Sequence, residues 1–235
     1  MPLSPSPGVL ALLRGRELRA AFSRTRMLKQ PERGILEDSV SQARYPVWEE
    51  IRQVHPLGKL SEEELDQIRT RVIVEEAERQ GVPPEIALGV SRGENTRGLP
   101  WAVGQMGEIG LFQLDPEKHL PAFSALIGSS DMTDPANNAR FGVALLKSLR
   151  MRHKNWMEAI QAYNGSLGTA RGLQYLAAIS GQIVRENVQR KHAALFARFS
   201  AKKDMPPDTL YAIVGAIENA RAEEYQRVVQ LLREK

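Results

Sequence analysis

Residues 75–95 read EEAERQGVPPEIALGVSRGEN, two helical patterns separated by a short break, and this stretch decides the fold. The first pattern begins upstream at Ser61-Glu62-Glu63-Glu64, a capping box in which a serine hydroxyl and the glutamate three residues on satisfy each other's backbone donors. Its apolar residues recur at Leu65, Ile68, Val72 and Ala77, and Gly81 stops it. Pro83 and Pro84 suit the first turn of the next helix. That helix buries Ile86, Leu88 and Val90 and ends near Arg92–Glu94, where Gly93, Gly98 and Pro100 cluster. A glutamate therefore stands at the carbonyl end of an apolar helix.

Working outward, residues 95–120 are glycine-rich and irregular around an apolar core, Ile109 to Phe112, which fits either a small strand ribbon or a buried loop. Asp134-Pro135 opens a further helix with Ala139, Val143, Leu146 and Leu149 on its apolar face, and Trp156 to Tyr163 forms another that Gly165 and Gly168 break. Helical pattern resumes at Leu173–Ile179 and continues through Ile183–Phe199. A final helix carries Leu210, Ile213, Val214, Ile217, Tyr225, Val228 and Leu232 on one side. Toward the other end, residues 1–8 are a Pro/Ser/Gly tail, an amphipathic helix runs from about Leu10 to Gln30, and a short helix is expected around Val47–Val54. With aromatics at only 6% and Ala, Leu, Glu and Arg prominent, the fold class is mainly α. The expected organisation is a basic N-terminal tail with helices over 1–60, a catalytic domain over 61–182 and a C-terminal helical extension over 183–235.

Three short motifs occur in order: Glu94-Asn95, then Gly107-Glu108-Ile109-Gly110-Leu111-Phe112-Gln113, then Ala162-Tyr163-Asn164-Gly165. With the helix pair at 75–95 and the stretch DPANNARFGVALLKSLRMRHKNWMEAIQAYN at 134–164, they resemble the soluble lytic transglycosylase family, which shares the goose-type lysozyme fold. The resemblance covers roughly residues 67–180. It implies that Glu94 is the catalytic acid and that Gln113, Tyr163 and Asn164 bind substrate. It further implies cleavage of the MurNAc–GlcNAc β-1,4 bond of peptidoglycan with closure to a 1,6-anhydro-muramic end, without cofactor. The pattern departs from the family at Asn95, where serine is usual, at Phe112 for methionine, at Leu114-Asp115-Pro116 and at Gly165-Ser166. Glu108 is the nearest candidate for a second carboxylate and reads as structural. Asp115, Asp131 and Asp134 read as loop or N-cap residues.

The case for Glu94 also stands on chemistry. A general acid working near neutral pH needs a carboxyl pKa above the ordinary value of about 4.3. Apolar burial raises it by withholding solvent from the ionised form, and the free carbonyls of a helix C-terminus push the same way.

Composition excludes several classes. The chain has no cysteine, so disulfides, thiolate metal sites and a cysteine nucleophile are ruled out. His55, His119, His153 and His192 show no metal-ligand spacing, and no metal is expected. No apolar run reaches the ~18 residues of a membrane span. The apolar run Val9–Leu13 is short, and the basic residues follow it, so no export signal is expected. Residues 1–33 hold seven basic residues against two acidic ones. That segment suits docking on a partner, and specific nucleic-acid binding is not expected. Because peptidoglycan lies outside the cytoplasm, the expected setting is a phage virion or a secretion apparatus that carries the protein to the host periplasm and wall. Two other readings stay open: a lysozyme-type hydrolase using water, and a structural virion or secretion component with an idle lysozyme-like domain.

Overall fold

The computed structural model describes residues 51–193, 196–197 and 207–234. The basic segment, the expected helix over about 10–30 and the first part of the expected helix at 47–54 lie outside these residues; 51–54 are helical. The described chain is mainly α-helical, as composition implies.

Helix α1 (Glu62–Gln80) begins at the expected capping box: the Glu64 N–H donates to Ser61 Oγ and the Ser61 N–H to Glu64 Oε2, at 3.2 and 2.8 Å. Gly81, left-handed at φ 71°, closes it. Its buried face differs from the expected one. Leu65, Arg69, Ile73 and Ala77 are buried, an i, i+4 stripe, while Ile68 and Val72 are only half-buried. An arginine can enter the stripe because its charge finds partners: Arg69 pairs with Asp66 and donates from Nη1 to the Asn95 carbonyl at 2.7 Å. Paired and hydrogen-bonded, a buried charge is tolerated.

Helix α2 (Pro84–Glu94) carries the candidate acid as its last residue and buries Ile86 through Ser91. Helix α3 (Pro116–Ile127) lies partly within a stretch expected to be irregular. Asp115 caps it by accepting from the Glu117 N–H, Pro116 occupies the first turn, and Gly128 at φ 77° ends it. It runs unbroken through Pro121, and burial of Phe123 against Phe141, with ring centres 5.3 Å apart, anchors it.

Helices α4 (Pro135–Arg152) and α5 (Trp156–Tyr163) start at Asp134 and Asn155, whose side chains accept from Asn137 and Glu158 N–H groups. Helix α6 (Ala170–Lys191) runs unbroken through position 182, so the expected boundary between 61–182 and 183–235 falls inside a helix. Helix α7 (Pro207–Arg233) buries Ile213, Ile217, Ala220, Glu224, Val228 and Leu232. Val214 and Tyr225, expected on that side, are 39% and 52% exposed. Glu224 takes the inner position because it gathers three donors: Asn187 Nδ2 at 2.9 Å, Lys191 Nζ at 2.6 Å and Arg227 Nε at 2.6 Å.

One continuous core joins α1, α2, α4, α5, α6 and α7, with Ala220, Val228 and Leu232 of α7 in the same cluster as Ile86 and Val90 of α2. A smaller cluster of Ile51, Leu65, Leu99, Trp101, Ala102 and Val103 lies beneath the glycine-rich loop. No helix among the described residues is long and apolar enough to cross a membrane.

Candidate active site

The site is built where α2 ends. Gly93 belongs to α2, although by sequence it marks the helix's end. A Cβ on Gly93 would stand 2.1 Å from Ile179 Cδ1, and one on Gly89 would stand 2.4 Å from Ile183 Cγ1. Two glycines one turn apart on α2 thus receive two isoleucines one turn apart on α6, and the helices approach more closely than larger side chains permit. The approach has a chemical result. One turn before Ile179 on α6, the Tyr175 hydroxyl donates to Glu94 Oε1 at 2.5 Å.

Glu94 is half-buried. Burial pushes its carboxyl pKa above the usual carboxylate range, and the negative charge of Glu108 pushes the same way. The Tyr175 hydrogen bond opposes both by favouring the ionised form, and burial wins. The phenols of Tyr175 and Tyr163 are themselves held well above the ordinary tyrosine value, first by burial and then by the nearby Glu94 charge. They remain protonated donors at any working pH.

The loop after α2 is held by asparagine and arginine. Asn95, where the family pattern has serine, is buried and makes three hydrogen bonds: Nδ2 donates to the Leu99 and Gly110 carbonyls at 2.8 and 3.1 Å, and Oδ1 accepts from the Gly98 N–H at 2.9 Å. The amide therefore ties both segments of the loop together. Gly98, at φ 67°, lies against the Arg69 guanidinium, where a Cβ would be 2.9 Å from Cζ.

The segment left open between strand ribbon and loop is a miniature of both. Ile109 and Leu114 exchange two backbone hydrogen bonds, each 2.9 Å, and Ile109 also bridges to Val103. Gly110-Leu111-Phe112-Gln113 is the turn between them, with Gly110 at φ 83° and Gln113 at φ 45°. Gln113 is the one non-glycine among the described residues at positive φ, a conformation that costs about 1 kcal/mol or more and is retained only under outside constraint. Asn138 of α4 supplies part of that constraint. Fully buried, it accepts from the Phe112 N–H at 2.8 Å and donates to the Ile109 and Met132 carbonyls at 3.1 and 2.8 Å. Phe112, in place of methionine, lays its ring on Gly142 of α4, where a Cβ would be 2.3 Å from Cγ.

The four residues singled out by sequence fall as follows. Glu94 lies at the centre. Tyr163, the last residue of α5, donates from its hydroxyl to the Phe112 carbonyl at 2.7 Å, so it braces the loop while remaining within electrostatic reach of Glu94. Gln113 donates from Nε2 to the Gly110 and Ala102 carbonyls at 2.9 and 3.2 Å. Asn164 follows α5 directly, and its Oδ1 accepts from Ser166 Oγ at 2.9 Å within the turn. Sequence reasoning passed over Tyr175, which holds the acid; its signal was a polar-tipped aromatic inside the apolar run Leu173–Ile179. It also passed over Arg69. Glu108, read as structural, has an Oε2 that accepts from the Met106 N–H at 2.9 Å and a charge that reaches Glu94.

A half-buried carboxyl whose pKa is raised and which a phenol steers is suited to delivering a proton to a leaving oxygen. Comparison with known proteins agrees with this chemistry. The family model described as Transglycosylase SLT domain matches residues 71–177, a span holding Glu94, the 107–113 turn, Tyr163, Asn164 and Tyr175. No curated protein matches the chain.

Proposed function

We propose that this protein is a peptidoglycan lytic transglycosylase with Glu94 as its catalytic residue. The observation that carries the reading is the half-buried Glu94 carboxyl, raised in pKa at the end of α2 and hydrogen-bonded by Tyr175, inside the segment that matches the transglycosylase model. Protonated Glu94 gives its proton to the glycosidic oxygen between MurNAc and GlcNAc as the C1–O bond breaks. The muramic N-acetyl oxygen stabilises the positive charge at C1. Ionised Glu94 then takes the proton of the muramic C6 hydroxyl, whose oxygen bonds to C1 and closes the 1,6-anhydro ring. The acid is restored, and no water is consumed. Tyr175 orients the carboxyl and favours its ionised form between the two steps. Gln113 and Asn164 bind the glycan, and Tyr163 holds the turn that carries Gln113.

Mass analysis of purified peptidoglycan after digestion tests this directly. Anhydro-muramic ends are expected with wild type and none with Glu94→Gln. Reducing ends instead would establish hydrolysis, a reading that the second negative charge at Glu108 favours, since a carboxylate pair is the usual equipment for activating water. Equal digestion by both proteins would remove Glu94 from the mechanism.

The proposal includes delivery to the wall by a phage particle or a secretion apparatus, with residues 9–60 and 183–235 as the docking region. In its support, α7 lies outside the matched segment and presents Tyr211 and Tyr225 to solvent, 74% and 52% exposed. Immunodetection in purified particles is the test; a protein confined to the bacterial cytoplasm would refute delivery while leaving the chemistry intact.

A further inference from the structure

We propose that Glu108 and Gln113 form a two-acceptor subsite that grips a hydrogen-bond donor of the glycan beside Glu94, which makes Glu108 a substrate-binding residue. The inference rests on the glycan-cleaving reading above and adds to it a residue that reads as structural by sequence.

The orientation of the Gln113 amide is settled by its partners. Nε2 faces the Gly110 and Ala102 carbonyls, which can only accept, so the nitrogen must be on that side and Oε1 on the other. Oε1 then faces Gly104 and stands 2.6 Å from the point a Cβ there would occupy; Glu108 Oε2 stands 2.3 Å from the same point. Two acceptor oxygens thus converge over a residue that has no side chain to separate them. Both residues are half-buried rather than enclosed. A carboxylate and an amide oxygen side by side repel unless a donor lies between them, and the Met106 N–H serves Glu108 Oε2 from its own side of the turn. Saccharide hydroxyls and the acetamido N–H of an amino sugar are donors of the required kind, and a hydrogen bond to a carboxylate is the stronger, charge-assisted sort. The strained φ of Gln113 fits this role, because it aims Oε1 at Gly104 while the Nε2 bonds lock it.

The same placement couples binding to chemistry. Among the described residues, the ionisable groups that act on Glu94 are Tyr163 from α5, Tyr175 from α6 and Glu108 from the turn. Of these, Glu108 is the carboxylic acid, and its charge pushes the Glu94 pKa up. Lys118 of α3 feels Glu108 but is engaged by Asp115 at 2.8 Å, with its own side chain 74% exposed. Glu108 therefore helps keep Glu94 protonated while it holds the sugar.

The test compares wild type, Glu108→Ala and Glu108→Gln in two assays: binding of a chitin oligosaccharide by calorimetry, and the pH profile of glycan-strand cleavage. Glu108→Gln keeps an oxygen for the Met106 N–H and so keeps the turn. That oxygen keeps the place of Oε2 beside Gln113 Oε1, so the acceptor pair survives and only its negative charge is lost. A Kd about tenfold weaker is expected for both variants, as for the loss of one charge-assisted bond. The alkaline limb of the profile should also move to lower pH, with a thermal midpoint near wild type for Glu108→Gln. Should Glu108→Gln bind within twofold of wild type and leave the limb in place, Glu108 only braces the turn and the inference is overturned, even if Glu108→Ala unfolds. Wild type that neither binds nor cleaves glycan overturns the functional reading itself, a result distinct from a silent variant of an active enzyme.

Discussion

Gly142→Ala sets two known effects against each other, and the structure decides which prevails. Gly142 lies within the 18-residue helix α4, and on propensity alone alanine there would gain about 1 kcal/mol. Its Cβ, however, would stand 2.3, 2.5 and 2.7 Å from Cγ, Cδ2 and Cδ1 of Phe112, where carbon atoms prefer about 3.5–4.0 Å. The ring would have to retreat by roughly an ångström, yet it is fully buried. Its backbone is also held on both sides, by Asn138 at the N–H and Tyr163 at the carbonyl. Overpacking of this kind costs about 1–3 kcal/mol, and a ring fixed at both ends belongs in the upper part of that range. We expect a net loss of about 1–2 kcal/mol, read as a lower urea midpoint and a Tm fall of about 2–8 °C for a chain of this size. Cleavage should fall as well, since Gln113 is the next residue of the turn. Adding Phe112→Leu should relieve the clash and give a favourable coupling above about 0.5 kcal/mol. If Gly142→Ala alone matches or exceeds wild-type stability, the ring is not held as described and the argument for a rigid turn fails.

Glu94→Gln should lower cleavage by about 10²–10⁴-fold without lowering stability at neutral pH. The raised folded-state pKa of Glu94 favours folding below the ordinary carboxylate value, and that advantage is lost as pH rises through the raised value. The amide variant should then be at least as stable as wild type at pH 7 by thermal melting, and a clear loss there would contradict the assigned environment. Tyr175→Phe removes the hydrogen bond that lowers the Glu94 pKa against burial, so the alkaline limb of kcat/KM should move to higher pH while the maximum falls; movement to lower pH would mean the hydroxyl does not act on Glu94. Glu224→Gln should cost about 1–3 kcal/mol at neutral pH through its three donors. Burial pushes the Glu224 carboxyl up, but hydrogen bonds from Lys191, Arg227 and Asn187 together outweigh it and hold its pKa below the usual value, so its stabilisation is present above the unfolded value and lost as pH falls through the lowered one. The gap between wild type and variant should accordingly close in acid, and a pH-independent gap would refute the assignment.

Helix starts were legible because they depend on local chemistry. The Ser61 capping box and the Asp134-Pro135 start occur where their side chains dictate. Faces were less legible wherever a polar residue had found tertiary partners. Arg69 and Glu224 occupy inner positions that an apolar-only pattern assigns to neighbours, and no local signal reveals the Asn95 carbonyl or Asn187 that receive them. Glycine was ambiguous for a related reason. Gly93 reads as a helix terminator, but its meaning is a partner's side chain, Ile179, 86 positions along the chain. At the site, Glu94 and Tyr163 were legible from ordered motifs. Tyr175 was not, because the close approach of α2 and α6 brings it to the acid. Helix α3 was missed because it begins at the edge of a glycine-rich stretch and carries an internal proline, Pro121.

That same approach limits how small a working fragment can be. The family match stops at residue 177, short of Ile179 and Ile183, the side chains that fill the hollows at Gly93 and Gly89. A protein trimmed to that boundary would keep every residue assigned to chemistry or substrate and still leave the acid's helix unsupported on one side, with Tyr175 near a fraying end. The portable catalytic unit must therefore extend past the region of recognisable similarity. The rest of α6 also brings a need for α7, since Val188 shares its burial with Val228 and Asn187 is held by Glu224.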